Sequence, residues 1–178
     1  MHKFYKLGAG VLILVLALSY LYFELPRQNS QAGGLRDSYL VRNVVDGDTI
    51  EIERHGQLEK VRLIGIDTPE TLDPRKPVQC FGKEASDFSK SLMAGKPVRL
   101  EFDPLVGERD KYNRLLAYVW LQDGSMINNL LVKNGYAHEY TYRSQSYKFQ
   151  TQFKQAEQSA KIAELGFWSD QTCGGKTK

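Results

Sequence analysis

The sequence is poor in histidine. Only His2, His55 and His138 occur in 178 residues; His2 lies in an apolar N-terminal segment and His55 in the turn-like HGQ. An imidazole pair for ribonuclease-type acid–base chemistry and a histidine-rich zinc site are therefore both poorly provided for. Cysteine is scarcer still: Cys80 and Cys173 allow at most one internal disulfide. Excess positive charge is also nearly absent. The formal net charge is +3, and setting aside everything before Gly33, which removes Lys3, Lys6, Arg27 and Glu24, leaves +1. Bulk charge then offers no strong general attraction to nucleic acid, and any basic footprint must be local. No internal repeat and no low-complexity segment is present.

What is present suits one globular domain. Hydrophobic residues make up 42% and charged residues 25%, which is ordinary composition with enough chain to bury a core. Ahead of it stands a separate object. Lys3 and Lys6 precede the apolar run LGAGVLILVLALSYLYF at 7–23. Residues 1–25 read as a signal peptide or as a membrane signal anchor. Ser30, Gln31 and Ala32 offer the small residues of a cleavage site, while Glu24 and Arg27 intervene. On either reading the remainder is exported: periplasmic, secreted, or anchored to the membrane through 7–23 with the domain outside the cytoplasm. Residues 26–38 read as a flexible linker and 39–178 as the folded domain. In an exported chain Cys80 and Cys173 suggest a disulfide, worth about 4–5 kcal/mol by chain entropy; two unpaired thiols are the alternative.

Strand-forming runs lie at 39–45, 49–53, 61–66, 98–102 and 116–120, with turn signals at Asp46-Gly47 and His55-Gly56-Gln57. Helical spacing appears at 81–94 through Phe81, Ala85, Phe88 and Leu92, at 126–133, and at 147–165 through Phe149, Phe153, Ala156, Ala160 and Ala163. The order βββαββαα implies an α+β protein built on a small five-stranded barrel of OB type with three helices.

The stretch RLIGIDTPE, Arg62 to Glu70, brackets an apolar run with a cation and two acids. Strict alternation would set Arg62 and Asp67 on opposite faces. One extra residue bulged near Leu63 and Ile64 would turn Val61, Leu63, Ile64 and Ile66 to the core and gather Arg62, Gly65 and Asp67 on the polar face. Asp46 and Asp48, with Asp67 and Glu70, supply hard oxygen donors of the kind Ca²⁺ takes. Taken alone, Asp46-Gly47-Asp48 is also a hairpin turn and Asp67-Thr68-Pro69-Glu70 a turn out of a strand. Downstream, DKYNR carries Arg114, whose guanidinium matches phosphate oxygens bidentately; with Arg62 it would clamp one phosphate from two sides. An ion pair with Asp110 is the plainer reading of Arg114. Tyr112, Tyr140 and Tyr142 offer stacking faces for a base or sugar, or simple packing.

In combination VVDGDT, VRLIGIDTPET, FGKEAS, DKYNRLLAYVW and GFWSD resemble the staphylococcal nuclease (thermonuclease-like) family, in order and with similar spacing from about Val41 to Asp170. The resemblance implies a five-stranded OB barrel, a monomer, and Ca²⁺-dependent hydrolysis of phosphodiesters in DNA and RNA to leave 3′-phosphate ends. By the same resemblance Asp48, Asp67 and the Thr68 carbonyl hold the metal, with Asp46 an acid close by. Glu70 orients or deprotonates the attacking water, Arg62 and Arg114 bind the phosphate, and Lys111, Tyr112, Tyr140 and Tyr142 surround the nucleotide. Two departures bear on how Arg114 is presented: Asn113 replaces the Gly of the family pattern, and the loop 104–109 is one residue longer. The region 72–78 is also less lysine-rich. Where relatives have lost the acids or arginines, the same barrel serves as a non-catalytic binding module; here all of them are present.

Overall fold

Alternate residues of five strands point inward and meet. Ile50 and Ile52 come from β2 (Thr49–Arg54), Val61 and Leu63 from β3 (Gln57–Leu63), Val98 and Leu100 from β5 (Pro97–Glu101), and Leu115, Ala117 and Val119 from β6 (Leu115–Trp120), all buried. With β1 (Ser38–Val44) these strands form a closed barrel in the order β1-β2-β3-β6-β5, β5 returning to β1. The β3–β6 pair is parallel and the rest are antiparallel. Each fully buried aliphatic side chain stabilises the barrel by about 1.5–3 kcal/mol relative to exposure. This computed structural model describes residues 38–71 and 77–177. The expected signal or anchor segment 1–25 lies outside the described residues, as do the linker apart from Ser38 and residues 72–76.

Among the described residues three α-helices complete the fold, α1 (Gly82–Met93), α2 (Ile127–Lys133) and α3 (Gln150–Ile162). The expected five-stranded OB barrel with three helices is therefore the architecture found. It carries one addition, a two-stranded sheet of β4 (Ile66–Asp67) and β7 (His138–Glu139) that periodicity over two residues could not signal. Helix α3 begins later than the apolar stripe suggested. The Lys148 amide donates instead to Asp103 Oδ2 at 2.7 Å, and Tyr147 turns inward beneath Gly65.

The expected bulge at Leu63–Ile64 is not what forms. β3 ends at Leu63, the chain turns at Ile64 and Gly65, and β4 opens a different sheet. Gly65 adopts φ +76°, and a Cβ there would lie 2.5 Å from the Tyr147 ring. The side-chain consequence is nonetheless the one the bulge was invoked for. Val61, Leu63, Ile64 and Ile66 are all buried, and Arg62 meets Asp67 on the outer face. The sheet irregularity falls elsewhere, between Val41 and Asn43 in the β1–β2 pairing.

A break in a buried strand leaves polar backbone that must be satisfied. Asn128 of α2 does this, fully buried: its Nδ2 donates to Ile64 O at 2.9 Å and its Oδ1 accepts from the Val119 amide at 2.9 Å. Replacing Asn128 by alanine should strand both groups and lower the unfolding free energy by about 2–4 kcal/mol, read from urea denaturation.

The segment that follows β5 is held to the barrel by Asp103. Its carboxylate accepts from Tyr118 OH at 2.6 Å and from the Lys148 and Leu105 amides at 2.7 and 2.9 Å. Burial acts to raise its pKa, but these donors outweigh it and hold the group below the usual carboxylate range. Glu157 follows the same logic: burial is outweighed by His138, Lys161 and the Glu139 amide, leaving it at about 2 against 4.5. Both folded values lie below the unfolded ones. Their stabilisation is complete above pH ~4.5 and disappears as pH falls through the folded values. Asp103→Asn should therefore lower stability at pH 7 and flatten its decline below pH ~4, measured by urea titrations at pH 7 and pH 3.

The two cysteines are paired. Cys80, just before α1, is bonded to Cys173, 93 residues later in the tail beyond the short 3₁₀ turn Gly166–Trp168.

Candidate active site

The first wall of the site is the turn between β1 and β2. The Asp48 amide donates to Asp46 Oδ1 at 3.1 Å, folding the two acids together. Gly47 sits between them because nothing larger fits: a Cβ would lie 2.6 Å from Thr68 Oγ1. Its carbonyl accepts from Ser89 Oγ of α1 at 2.6 Å, which fixes the turn to the helix. Thr68 returns the contact, its amide and hydroxyl donating to Asp48 Oδ2 at 3.0 and 3.2 Å. Segments 20 residues apart in sequence are thereby locked face to face.

Arg62 is the hub. Its Nη1 donates to the carbonyls of Leu63 and Ile66 at 2.9 and 2.8 Å, wrapping the guanidinium around the turn that ends β3. Its Nη2 lies 3.0 Å from Asp48 Oδ2 and 2.9 Å from Asp67 Oδ1. One nitrogen thus touches both carboxylates that the sequence assigns to a metal.

Glu70 is held through its backbone. Its amide donates to Gln79 Oε1 at 2.8 Å, its carbonyl accepts from the Gln79 amide at 2.9 Å, and its carboxylate accepts from the Thr71 amide at 2.9 Å. Arg114 enters from the start of β6. Asp46, Asp48, Asp67, Thr68, Glu70, Arg62 and Arg114 line one cavity of about 220 Å³. The ion pair considered for Arg114 is also present, since its Nε donates to Asp110 Oδ2 at 2.7 Å. The two readings of Arg114 are therefore compatible.

A second cavity of about 600 Å³ adjoins the first and shares Arg62, Asp67 and Arg114 with it. Lys111, Tyr112, Tyr140 and Tyr142 all line it. Tyr112 is 68% exposed, with Lys111 Nζ 4.9 Å and Arg114 Cζ 5.5 Å from its ring centre. Tyr140 and Tyr142 are 44% and 45% exposed, with ring centres 6.4 Å apart. Asn113, standing where the family pattern has Gly, takes φ +62°, a conformation asparagine tolerates better than most residues.

The acids show their crowding. Asp46 is pushed up to about 7, by burial first and by the charge of Asp48 next, against the opposing pull of the Asp48 amide and Arg62. Asp67 is raised by partial burial and again by Asp48. Carboxylates that raise one another in a polar cavity are short of positive charge. The all-oxygen donor set and the convergence of Asp48 and Asp67 on a single cationic nitrogen fit a hard divalent cation. Among the described residues no three His, Cys, Asp or Glu form a metal-holding group. The set of Asp48, Asp67 and the Thr68 carbonyl is the one the family resemblance implies, and Asp48, Asp67 and Thr68 do line one cavity.

Several residues that shape the site carried no sequence signal: Gln79 holding Glu70, Ser89 holding the first turn, and Glu59 with Arg109 beside Arg114. Each acts through a contact distant in sequence.

An OB barrel with acids and two arginines converging on one cavity, next to an aromatic-lined groove, defines a class in which oxygen ligands and guanidinium groups face one ligand. The sequence places the chain within it. Residues 60–170 match the family described as Staphylococcal nuclease homologue, and the chain belongs to that family. It is 44% identical over 168 residues to a thermonuclease of Staphylococcus intermedius, covering 92% of this chain and 98% of that protein. It is 40% identical over 171 residues to the thermonuclease of Staphylococcus hyicus, covering 93% and 99%. It is also 44% identical over 126 residues to the SPbeta prophage-derived endonuclease YokF of Bacillus subtilis (strain 168), covering 70% of this chain and 42% of that protein.

Proposed function

We propose that the protein is an exported, Ca²⁺-dependent endonuclease that hydrolyses phosphodiester bonds of DNA and RNA with little sugar specificity, leaving 3′-phosphate ends. The observation that carries this is the meeting of Asp48 and Asp67 at Arg62, in a cavity that Glu70 and Arg114 also line. Relatives named as thermonucleases and endonucleases support the same reading.

Asp48, Asp67 and the Thr68 carbonyl would hold Ca²⁺, which when bound neutralises a phosphate oxygen and offers a place for water. Glu70 takes the proton of the attacking water as its oxygen bonds to phosphorus, and the bond to the 5′ oxygen breaks, that oxygen taking up a proton from solvent to leave as a hydroxyl. Arg62 and Arg114 donate to the equatorial oxygens, whose charge is greatest in the five-coordinate transition state. The nucleophile is water, so a 2′-hydroxyl is not required and both nucleic acids are substrates. Lys111, Tyr112, Tyr140 and Tyr142 bind the adjoining nucleotide by charge and stacking.

The purified protein should cleave single-stranded DNA and RNA when Ca²⁺ is supplied, lose cleavage on chelation, and regain it on adding Ca²⁺ back. Binding of DNA without turnover in saturating Ca²⁺ would make it a non-catalytic module instead. Export rests on the basic start and the apolar run at 7–23. No helix among the described residues is long and apolar enough to cross a membrane, and 7–23 lies outside them. Cell fractionation with intact-mass measurement tests export and cleavage together: the protein should be found outside the cytoplasm, either shortened at its N-terminus or membrane-bound at full length.

A further inference from the structure

The hairpin that presents Arg114 closes on itself at its tip, and its outgoing limb is β6, where Leu115 and Leu116 pair with Val61 and Arg62 of β3. Asp110 N donates to Arg114 O at 3.0 Å, Leu116 N donates to Glu108 O at 2.8 Å, and Arg109 bridges Leu115. β6 sets the register of the outgoing limb against Arg62, while the incoming limb and the peptide before Arg114 need a tie of their own.

Arg109 supplies one. Its Nη2 lies 2.5 Å from Glu59 Oε2, on the same strand as Arg62 and three residues before it. Its Nη1 donates to the carbonyl of Asn113 at 3.0 Å. The other edge of that peptide bond, the Arg114 amide, donates to Asp110 Oδ1 at 3.0 Å. The peptide that launches Arg114 is therefore gripped on both edges by side chains, and one grip continues into β3. A guanidinium suits this task because its fork reaches two acceptors in different segments at once, which a single ammonium does not.

We propose that Arg109, anchored by Glu59, is a positioning residue that fixes Arg114 at its working distance from Arg62. The proposal rests on the reading of Arg114 as a transition-state donor, and its test separates the two.

In Ca²⁺, Arg109→Gln should lower kcat about tenfold with KM within twofold, because misaimed donors lose transition-state rather than ground-state contact. Glu59→Gln, which cuts the far end of the tie, should show the same pattern in milder form. Arg109→Lys should fall between Arg109→Gln and the unsubstituted protein. In an Arg114→Gln background, Arg109→Gln should add less than a twofold change, since both act through one group. Amide hydrogen exchange gives a readout without catalysis: Arg114 and Leu116 should exchange about tenfold faster in Arg109→Gln, with the Tm nearly unchanged. A tenfold loss that persists in the Arg114→Gln background, or a raised KM at constant kcat, would show Arg109 touching substrate directly and overturn the proposal. Unchanged exchange at Arg114 and Leu116 overturns it as well. If the unsubstituted protein fails to cleave, the nuclease reading falls and the exchange measurement alone decides whether the tie exists.

Discussion

Glu70→Gln should lower kcat on single-stranded DNA in saturating Ca²⁺ by about 10²–10⁴-fold, the usual contribution of a positioned general base. The substitution keeps shape and removes only the ability to take a proton. The surroundings make it a clean probe. The Glu70 backbone is fixed through both of its bonds to Gln79, so the loop should hold its course in the variant. The side chain is only partly buried, so thermal stability should scarcely change. Melting curves and steady-state rates measured together check this, and a folded Glu70→Gln variant turning over at the original rate would remove Glu70 from the chemistry.

Arg62→Gln should cost about 10²–10³-fold in kcat, the range for one lost transition-state donor. Its second consequence separates it from Glu70. The guanidinium also serves as internal counter-ion to Asp48 and Asp67 and as donor to the Leu63 and Ile66 carbonyls. Without it the acids face one another unscreened. The variant should melt at lower temperature in chelator and regain most of the difference in Ca²⁺, and its Ca²⁺ affinity should not fall. Calorimetric titration of the ion and melting curves in both conditions give these quantities. A loss of Ca²⁺ binding would count against the proposed site, because the Arg62 nitrogen sits on the two carboxylates that would hold the cation.

The barrel was legible because two-residue alternation in β2 and the helical stripes follow directly from which faces are buried. The acids and arginines were legible as types, since few other side chains suit an oxygen-lined cation site or a phosphate clamp. Their convergence was readable only in part. The outer-face grouping of Arg62 and Asp67 followed from the burial demands of Val61, Leu63, Ile64 and Ile66, but the backbone device did not. A bulge and a tight turn satisfy the same demands, and the choice depends on the ring of Tyr147 beneath Gly65 and on Asn128 supplying bonds from another helix. Such partners lie 64 to 82 residues away in the chain. Local pattern carries no record of them. The same holds for Glu59 and Arg109, which as isolated residues look like ordinary surface charge.

The bond between Cys80 and Cys173 has a practical corollary. Cys80 adjoins Gln79, whose side chain and amide grip Glu70. Cys173 is thus stapled within a few residues of the loop that carries Glu70, and residues 174–177 lie within ~3.5 Å per residue of that staple. A fluorophore placed at Thr177 would sit near enough to report on substrate entry.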